Sequence, residues 1–218
     1  MKSPIAKSTS RRGAALLEYG LLVGLVAAMA IASVASLGQR QNFDYLVAAL
    51  NVYEVTSPLG NYLNNGDFDD PSGMLPTSWG YKGSALQGWT SKNGRPFELH
   101  DSGWQGMKSV SGAYWLDTNA SPGAMDIEQS LDNLTPGAVY RLTLFAGDRD
   151  SDLDGEALVF WNGQLVGSLD PDQEDIMQEF DFYIQEGVGD GTNRIRIVDI
   201  GSNDSNGLSL DEVRIWGR

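Results

Sequence analysis

The sequence contains no cysteine, which excludes a disulfide framework, thiolate catalysis and a zinc site built from thiolates. It contains one histidine, His100, so a Ser-His-Asp triad or a histidine-based metal centre would depend on that residue alone. No serine lies in a glycine-elbow motif. We therefore expect no enzymatic activity. Without disulfides, the stability of the fold must come from core packing or from a bound metal ion.

Basic residues are few and unevenly distributed. The formal net charge of the chain is −14, yet residues 1–40 carry five basic residues against Glu18 alone. The remaining 178 residues hold 10 basic and 28 acidic side chains, a formal charge of −18. A body of this charge repels the phosphates of nucleic acids and anionic lipids and favours divalent cations. We expect no nucleic-acid partner.

An apolar run follows the basic N-terminus. Residues 21–37 carry no charge, and residues 14–37 contain only Glu18. As a helix, those 24 residues would be about 36 Å long, enough to cross a bilayer core of about 30 Å. The basic residues before the run predict a cytoplasmic N-terminus, with the acidic body on the other side. An ordinary signal peptide or a simple signal anchor is the alternative interpretation.

Three details favour a more specific interpretation. The basic leader ends at Gly13, directly before the apolar run. Glu18 lies inside the run, where an unpaired carboxylate costs a few kcal/mol. The run is also rich in glycine and alanine, which allow helices to approach each other closely.

The segment RGAALLEYGLLVG at residues 12–24 resembles the type IVb pilins of the Flp family, the subunits of tight-adherence (Tad) pili. The resemblance covers roughly residues 11–50. It implies a leader at 1–13, cleavage by prepilin peptidase between Gly13 and Ala14, and a transmembrane or filament helix at 14–50. It also implies that Glu18 pairs with the N-terminal amine of a neighbouring pilin subunit. The expected location is the inner membrane before assembly, then an extracellular pilus or the cell surface.

A polar connection at residues 51–60 separates this segment from a region of short alternating stretches and glycine-rich turns. Asn162-Gly163 is a strong hairpin signal between two of these stretches. The pattern predicts a β-sandwich. The predicted strands are Val139–Phe145, Ala157–Trp161, Leu165–Leu169, Glu179–Ile184, Arg194–Ile200 and Glu212–Trp216. The predicted fold class is therefore mainly β, an N-terminal transmembrane or filament α-helix followed by a jelly-roll β-sandwich.

The order of features over residues 61–218 resembles the galactose-binding-like jelly rolls, a fold shared by many carbohydrate-binding modules. The segments that carry the resemblance include NGDF at 65–68, GW at 88–89, FELH at 97–100, YWLD at 114–117, LTPGAVY at 134–140, FWNG at 160–163 and LSLDEVRI at 208–215.

The resemblance indicates a glycan site near a group of aromatic and polar residues. Aromatic rings stack on the apolar faces of sugars, and carboxylates bind their hydroxyl groups. The candidate ligand-binding residues are Trp89, Glu98, His100, Trp104 and Asp117. The alternative is that the aromatic residues fill the core, which we favour for Trp115. Trp104 lies in a glycine-rich loop and is the better candidate for exposure.

Calcium is the expected cofactor, with a structural role. Asp150, Asp152 and Asp154 match the first half of a D-x-D-x-D-G loop, although Trp161 stands where an EF-hand has glutamate. The alternative is a solvated acidic loop. Separately, the jelly-roll resemblance implies a calcium ion between the first and last strands, held by Asp69 and Asp211, with Asp67 as the alternative.

Together these features predict a pilin-like subunit, of minor rather than bulk type, that displays a β-sandwich head for adhesion and glycan binding. Its partners would be other pilin subunits, prepilin peptidase and a surface glycan. Two alternatives stay open. One is a structural filament subunit without a ligand, and the other is a membrane-anchored surface protein that acts on or binds carbohydrate.

Overall fold

The computed structural model describes residues 61–119, 123–149, 155–202 and 207–217. It also describes six helical positions earlier in the chain, namely Met29, Arg40, Phe43, Asp44, Tyr45 and Val47. The chain divides into two compact units, Met1–Tyr45 and Leu46–Arg218. All described β-strands belong to the second unit.

The predicted fold class is wrong in its helical part. The described elements are twelve β-strands and one 3₁₀ turn, and no helix among the described residues is long and apolar enough to cross a membrane. Only six helical positions are described before residue 61, far fewer than the roughly 20 consecutive apolar residues that a spanning helix needs. The leader at 1–13, the linker at 51–60 and nearly all of 14–50 lie outside the described residues.

The strands are short in the first half of the domain and longer in the second. They are β1 Leu75–Pro76, β2 Gly80–Gly83, β3 Thr90–Ser91, β4 Phe97–Asp101, β5 Tyr114–Asp117, β6 Asp126–Ser130, β7 Val139–Gly147, β8 Ala157–Trp161, β9 Gln164–Leu169, β10 Gln178–Gln185, β11 Arg194–Asp199 and β12 Ser209–Gly217. The 3₁₀ turn is Trp104–Gly106.

The strands form two antiparallel sheets. The seven-stranded sheet has the order β1-β2-β4-β5-β12-β7-β10, and the five-stranded sheet has the order β3-β6-β11-β8-β9. Alternate residues of both sheets point inward to one core, as the period of two in a strand requires. The core includes Leu99, Leu116, Leu142, Leu144, Leu210 and Ile215 from the larger sheet and Ile127, Val159, Trp161, Ile195 and Ile197 from the smaller. This is the β-sandwich that the alternating pattern predicts.

The Asn162-Gly163 turn joins β8 to β9 as the sequence predicts. Both residues have positive φ, 49° and 75°, which is the requirement of a type I′ turn. Asn162 is also buried, and its side chain contacts the neighbouring β10–β11 connection. Its Nδ2 donates to the Val188 carbonyl at 2.7 Å, and its Oδ1 accepts from the Arg194 amide at 2.9 Å.

The outer face of the seven-stranded sheet is partly covered by loops. Met107, just after the 3₁₀ turn, is fully buried. Its methyl group packs so closely on Gly147 of β7 that a Cβ added to this glycine would lie 2.7 Å from it. The loop around Gly106 in turn approaches Asp175, in the connection between β9 and β10. These contacts hold the 101–107 loop over the outer face of the sheet, next to the candidate site.

Candidate functional site

Three aromatic rings are stacked on the outer face of the seven-stranded sheet. His100 of β4 lies opposite Trp115 of β5 in the strand register, and their ring centroids are 4.6 Å apart at an interplanar angle of 12°. Trp79, just before β2, stacks on His100 at 4.7 Å and 22°. We call Trp79, His100 and Trp115 the ring column. Trp79 is half-buried, whereas His100 and Trp115 are buried.

Gly80 allows Trp79 to reach this position. Its φ is +142°, and a Cβ there would lie 2.0 Å from the carbonyl oxygen of Leu99 on β4. Only glycine permits so close an approach of the two backbones. The Asp101 amide donates to the carbonyl of Trp79 at 2.9 Å, which fixes the start of β2 against β4. The tryptophan is thereby held over the imidazole of His100.

Polar residues follow one line across four strands beside the ring column. Lys82 of β2 lies opposite Glu98 of β4, Glu98 opposite Asp117 of β5, and Asp117 opposite Ser209 of β12. Directly opposite residues of antiparallel strands share a face of the sheet. We call Lys82, Glu98, Asp117 and Ser209 the polar row. Glu98, Asp117 and Ser209 are buried, whereas Lys82 is partly exposed.

Glu98, His100 and Asp117 come together at the junction of the polar row and the ring column. His100 Nε2 lies 3.5 Å from Asp117 Oδ2 and 3.9 Å from Glu98 Oε2. Their exposed fractions are 6% for Glu98, 5% for His100 and 1% for Asp117. One potential ligand atom from each residue lies within 4.8 Å of the other two, and this is the one such acidic and histidine cluster found among the described residues.

Two cations flank the cluster. Lys82 Nζ forms an ion pair with Glu98 Oε1, and Arg149 donates to Asp117 Oδ2 at 2.7 Å. The Arg149 guanidinium also lies 5.3 Å from the centroid of the Trp115 ring. Burial works to raise the pKa of Asp117, but His100, Arg149 and the Asn119 amide together hold that pKa below its usual range.

Trp104 lies at the edge of the ring column. Its ring centroid is 6.1 Å from that of His100 at an angle of 34°, and its side chain is half-buried. The 3₁₀ turn that carries it begins after Gly103, whose φ is 95°, and the Gly103 amide donates to the Met107 carbonyl at 2.7 Å. Trp79 and Trp104 therefore give two partly exposed indoles beside one buried imidazole.

Trp89 stands apart from the other predicted ligand residues. It is 5% exposed and packs against Phe68 in the core, with ring centroids 5.6 Å apart. Its Nε1 donates to the carbonyl of Asn65 at 3.0 Å. The structure thus brings together Glu98, His100, Trp104 and Asp117, and leaves Trp89 inside the sandwich.

Asp69 and Asp211 both accept hydrogen bonds from the backbone of residues 110–114. Asp69 Oδ1 accepts from the amides of Ala113 and Tyr114 at 2.8 and 3.1 Å. Asp211 Oδ2 accepts from the amides of Val110 and Ser111 at 2.6 and 3.2 Å. Burial raises the pKa of Asp211 to about 7, despite these amide contacts. Asp150, Asp152 and Asp154 lie outside the described residues.

Asp67, the alternative calcium residue, lies elsewhere. It lines a pocket of about 320 Å³ formed by the first described segment and the last strand. Asn61, Glu212, Arg214 and Trp216 also line this pocket. Asp67 is exposed there, so its environment differs from that of the buried Asp211.

Sequence reasoning missed Trp79, Lys82, Arg149 and Ser209. The Trp79-Gly80 pair offers a signal, since a tryptophan next to a glycine at a strand start can lie flat against a neighbouring strand. Lys82 and Ser209 become neighbours of the acidic residues only through the strand register, which no short motif encodes.

The fold and site define a two-sheet antiparallel β-sandwich with an aromatic and acidic cluster on one outer face. Neither a protein-family model nor a curated protein matches the sequence. Several solved structures are similar to it.

One is a family 35 carbohydrate-binding module from Paenibacillus barcinonensis, 16% identical over 62% of this chain and 98% of that module, with a TM-score of 0.41. Another is the module TmCBM61 in complex with β-1,4-galactotriose, 14% identical over 73% of this chain and 99% of that one, also with a TM-score of 0.41. The K2 adhesin domain of Lys-gingipain is 14% identical over 62% of this chain and 93% of that domain, with a TM-score of 0.45. At such low identities and TM-scores, these similarities carry no information on site residues.

Proposed function

We propose that the β-domain binds glycans without catalysis, through a surface formed by Trp79 and Trp104 beside His100. The observation that carries the proposal is that two partly exposed indoles lie beside the same buried imidazole. The ring centroid of His100 is 4.7 Å from that of Trp79 and 6.1 Å from that of Trp104. Two rings supported in this way offer rigid apolar faces, on which the C–H face of a sugar ring stacks.

Polar groups suited to sugar hydroxyls surround these rings. Lys82 keeps 36% of its side chain exposed, and Asp101 and Gln105 are exposed beside Trp79 and Trp104. Ligand sites of this kind combine aromatic faces with a few polar groups that fix the orientation of the ligand. The proposed direct contacts are therefore Trp79, Trp104, Lys82 and Asp101.

The proposal gives Glu98, His100 and Asp117 a supporting role. At 1–6% exposure their polar atoms are too buried to bind a sugar directly. They hold the imidazole on which Trp79 stacks, so their substitution is expected to disturb the platform rather than to remove a contact.

The test is binding of the full chain to a panel of neutral and acidic oligosaccharides, followed by titration calorimetry with the best ligand. Trp79→Ala and Trp104→Ala are each expected to weaken binding about tenfold or more, because each removes an aromatic stacking face.

Phe160→Ala is the matched control. Phe160 is a half-buried aromatic residue on the five-stranded sheet, and its replacement is expected to leave glycan affinity unchanged. Circular dichroism checks that each variant is folded. Failure of the full chain to bind any oligosaccharide, or equal binding by all three variants, contradicts the proposal.

We also infer a structural calcium ion near residues 110–114. Asp69 and Asp211 both accept hydrogen bonds from amides of this segment and keep further lone pairs, and a cation bound to them would stabilise the charged form of the buried Asp211 carboxyl. Glycine at position 112 allows the Asp69 carboxylate to lie against this segment, because a Cβ there would be only 1.4 Å from Asp69 Oδ2. The ion would link the first and last parts of the domain.

A location outside the cell is part of the proposal, because surface glycans are found there. Protease treatment of intact cells tests it, with loss of the β-domain as the expected result. The described residues offer no support for a role as a pilin subunit. The structural alternative without a ligand predicts that Trp89 and Trp104 are both buried, and Trp104 is not.

A further inference from the structure

Several buried polar atoms beside the ring column have no hydrogen-bond partner among the described residues. They are both ring nitrogens of His100, Nε1 of Trp115 and Oγ of Ser209. Buried polar groups are nearly always satisfied, so a group of unsatisfied ones in one place indicates a bound water or ion. Ser209 lies opposite Asp117 in the strand register, and the pair His100 and Trp115 lies two residues along from the pair Glu98 and Asp117 on the same face.

We propose that Glu98, His100 and Asp117 bind a divalent transition-metal ion, of which zinc is the best fit. The ligand atoms are Glu98 Oε2, His100 Nε2 and Asp117 Oδ2. The proposal does not depend on glycan binding, and it concerns different residues from the calcium site at Asp69 and Asp211.

The distances in the cluster are close to those of a formed site. Two ligands bound to zinc at about 2.0–2.1 Å in tetrahedral geometry lie about 3.3 Å apart. Nε2 of His100 is 3.5 Å from Asp117 Oδ2 and 3.9 Å from Glu98 Oε2. Small side-chain movements would therefore bring the three atoms into coordination, without a change of the backbone.

The surroundings match those of a structural metal site. Carboxylates that bind metals are themselves usually hydrogen-bonded by outer groups. Here Lys82 contacts the other oxygen of Glu98, and Asn119 donates to the other oxygen of Asp117 at 2.9 Å. Arg149 shares Asp117 Oδ2, which has a second lone pair for a metal. A fourth ligand would be water or the hydroxyl of Ser209.

The donor set selects the kind of metal. One imidazole and two carboxylates suit zinc and its neighbours in the first transition row, whereas calcium takes oxygen ligands alone. Lys82 and Arg149 already balance the charges of the two carboxylates, so the alternative is a cluster held by these ion pairs alone, without metal affinity.

The experiment uses the full chain, freed of metal with a chelator. Zinc is titrated by calorimetry, and cobalt is followed by its visible absorption and by quenching of tryptophan fluorescence. Quenching is expected because Trp79 and Trp115 stack on the proposed ligand. Glu98→Gln and Asp117→Asn, which keep the shape of the side chain, are expected to weaken zinc binding at least tenfold, and His100→Gln at least a hundredfold.

Asp69→Asn is the matched control and is expected to bind zinc as the wild type does. If His100→Gln does not fold, the two amide variants still decide the question. The proposal is overturned if zinc and cobalt both fail to bind, or if binding is equal in Glu98→Gln, Asp117→Asn and the wild type. Nitrogen NMR of His100 that shows no change when zinc is added would also overturn it.

Discussion

Thr118 has one hydroxyl proton and two acceptors within reach. Its Oγ1 contacts Asp199 Oδ2 and lies 3.1 Å from the carbonyl oxygen of Leu208, in a buried environment. A protonated Asp199 satisfies both contacts, since the carboxyl donates to Thr118 and Thr118 donates to Leu208. Burial raises the pKa of Asp199 to about 6, in the same direction. The neutral acid is thus the form that best fits this position.

This gives a pH-dependent stability with a defined sign. The pKa of Asp199 rises from 3.8 to about 6 on folding, so the native state holds more protons between these values. The contribution of Asp199 to the free energy of unfolding is complete below about pH 4 and falls as pH rises to about 6, by up to about 3 kcal/mol. Asp199→Asn keeps the hydrogen-bonding capacity of the neutral acid, and its stability relative to wild type is expected to rise across this window.

Urea unfolding of both proteins at several pH values between 4 and 7 measures the difference. Asp132→Asn, at an exposed position, is the control for the loss of one negative charge. If the free energy of unfolding depends on pH in the same way in Asp199→Asn and the wild type, Asp199 is ionised in the native state throughout this range, which contradicts the prediction.

At the scale of elements, the sequence predicts the last six strands and misses the first six. β7 to β12 are five to nine residues long and alternate in polarity. β1 and β3 are only two residues long, too short for any period to be visible, and β2 contains two glycines. The core was therefore predictable in its second half. The strands that position the ring column were not.

A β-bulge in β12 also lies beyond prediction. The register shifts between Asp211 and Arg214, and Glu212 has a φ of 52°. As a result two consecutive residues, Asp211 and Glu212, both contact Ser111. In a regular strand they would point to opposite faces. Bulges near functional residues redirect side chains in this way, and their position depends on the partner strand.

The β8–β9 turn carries a prediction at this scale. Asn162→Ala loses two partly buried hydrogen bonds and leaves the Val188 carbonyl and the Arg194 amide without this partner. Alanine also pays the cost of positive φ at this position. We expect a loss of about 2–4 kcal/mol in the free energy of unfolding.

Asn133→Ala separates the two contributions. Asn133 also has positive φ, 62°, but it is exposed. Its substitution is expected to cost about 1 kcal/mol by denaturant unfolding, the backbone contribution alone. Equal losses in the two variants would mean that the side-chain contacts of Asn162 contribute nothing.

At the scale of the molecule, calcium is expected to stabilise the whole domain. The proposed ion at Asp69 and Asp211 would bind the folded chain and not the unfolded one, so at a hundred times its Kd it would add about 2.7 kcal/mol to the free energy of unfolding. Thermal melts in calcium and in EDTA measure the shift in Tm. Asp69→Asn and Asp211→Asn are expected to abolish it, while Glu98→Gln keeps it. An unchanged Tm with calcium would remove the proposal, and loss of the shift in Asp67→Asn would favour the alternative residue.

For the candidate site, the sequence predicts several of the residues but not their burial. Glu98, His100, Trp104 and Asp117 were identifiable because polar and aromatic residues are uncommon together at strand positions. The burial of Glu98, His100 and Asp117 was not, since it depends on tertiary contacts such as that between His100 and Trp104. Trp89 illustrates the reverse case, because its neighbours in sequence do not reveal that Phe68 covers it.

The last strand, β12, lies near the middle of the seven-stranded sheet, between β5 and β7. During synthesis, β2, β4 and β5 therefore emerge long before the strand that joins them to β7 and β10. The larger sheet cannot close until residues 209–217 have left the ribosome, so its two halves stay unconnected while residues 75–208 are synthesised. A proteolytic cut just before Ser209 would detach β12 from the strands before it and leave two half-sheets, β1-β2-β4-β5 and β7-β10, with open edges, a species prone to aggregation.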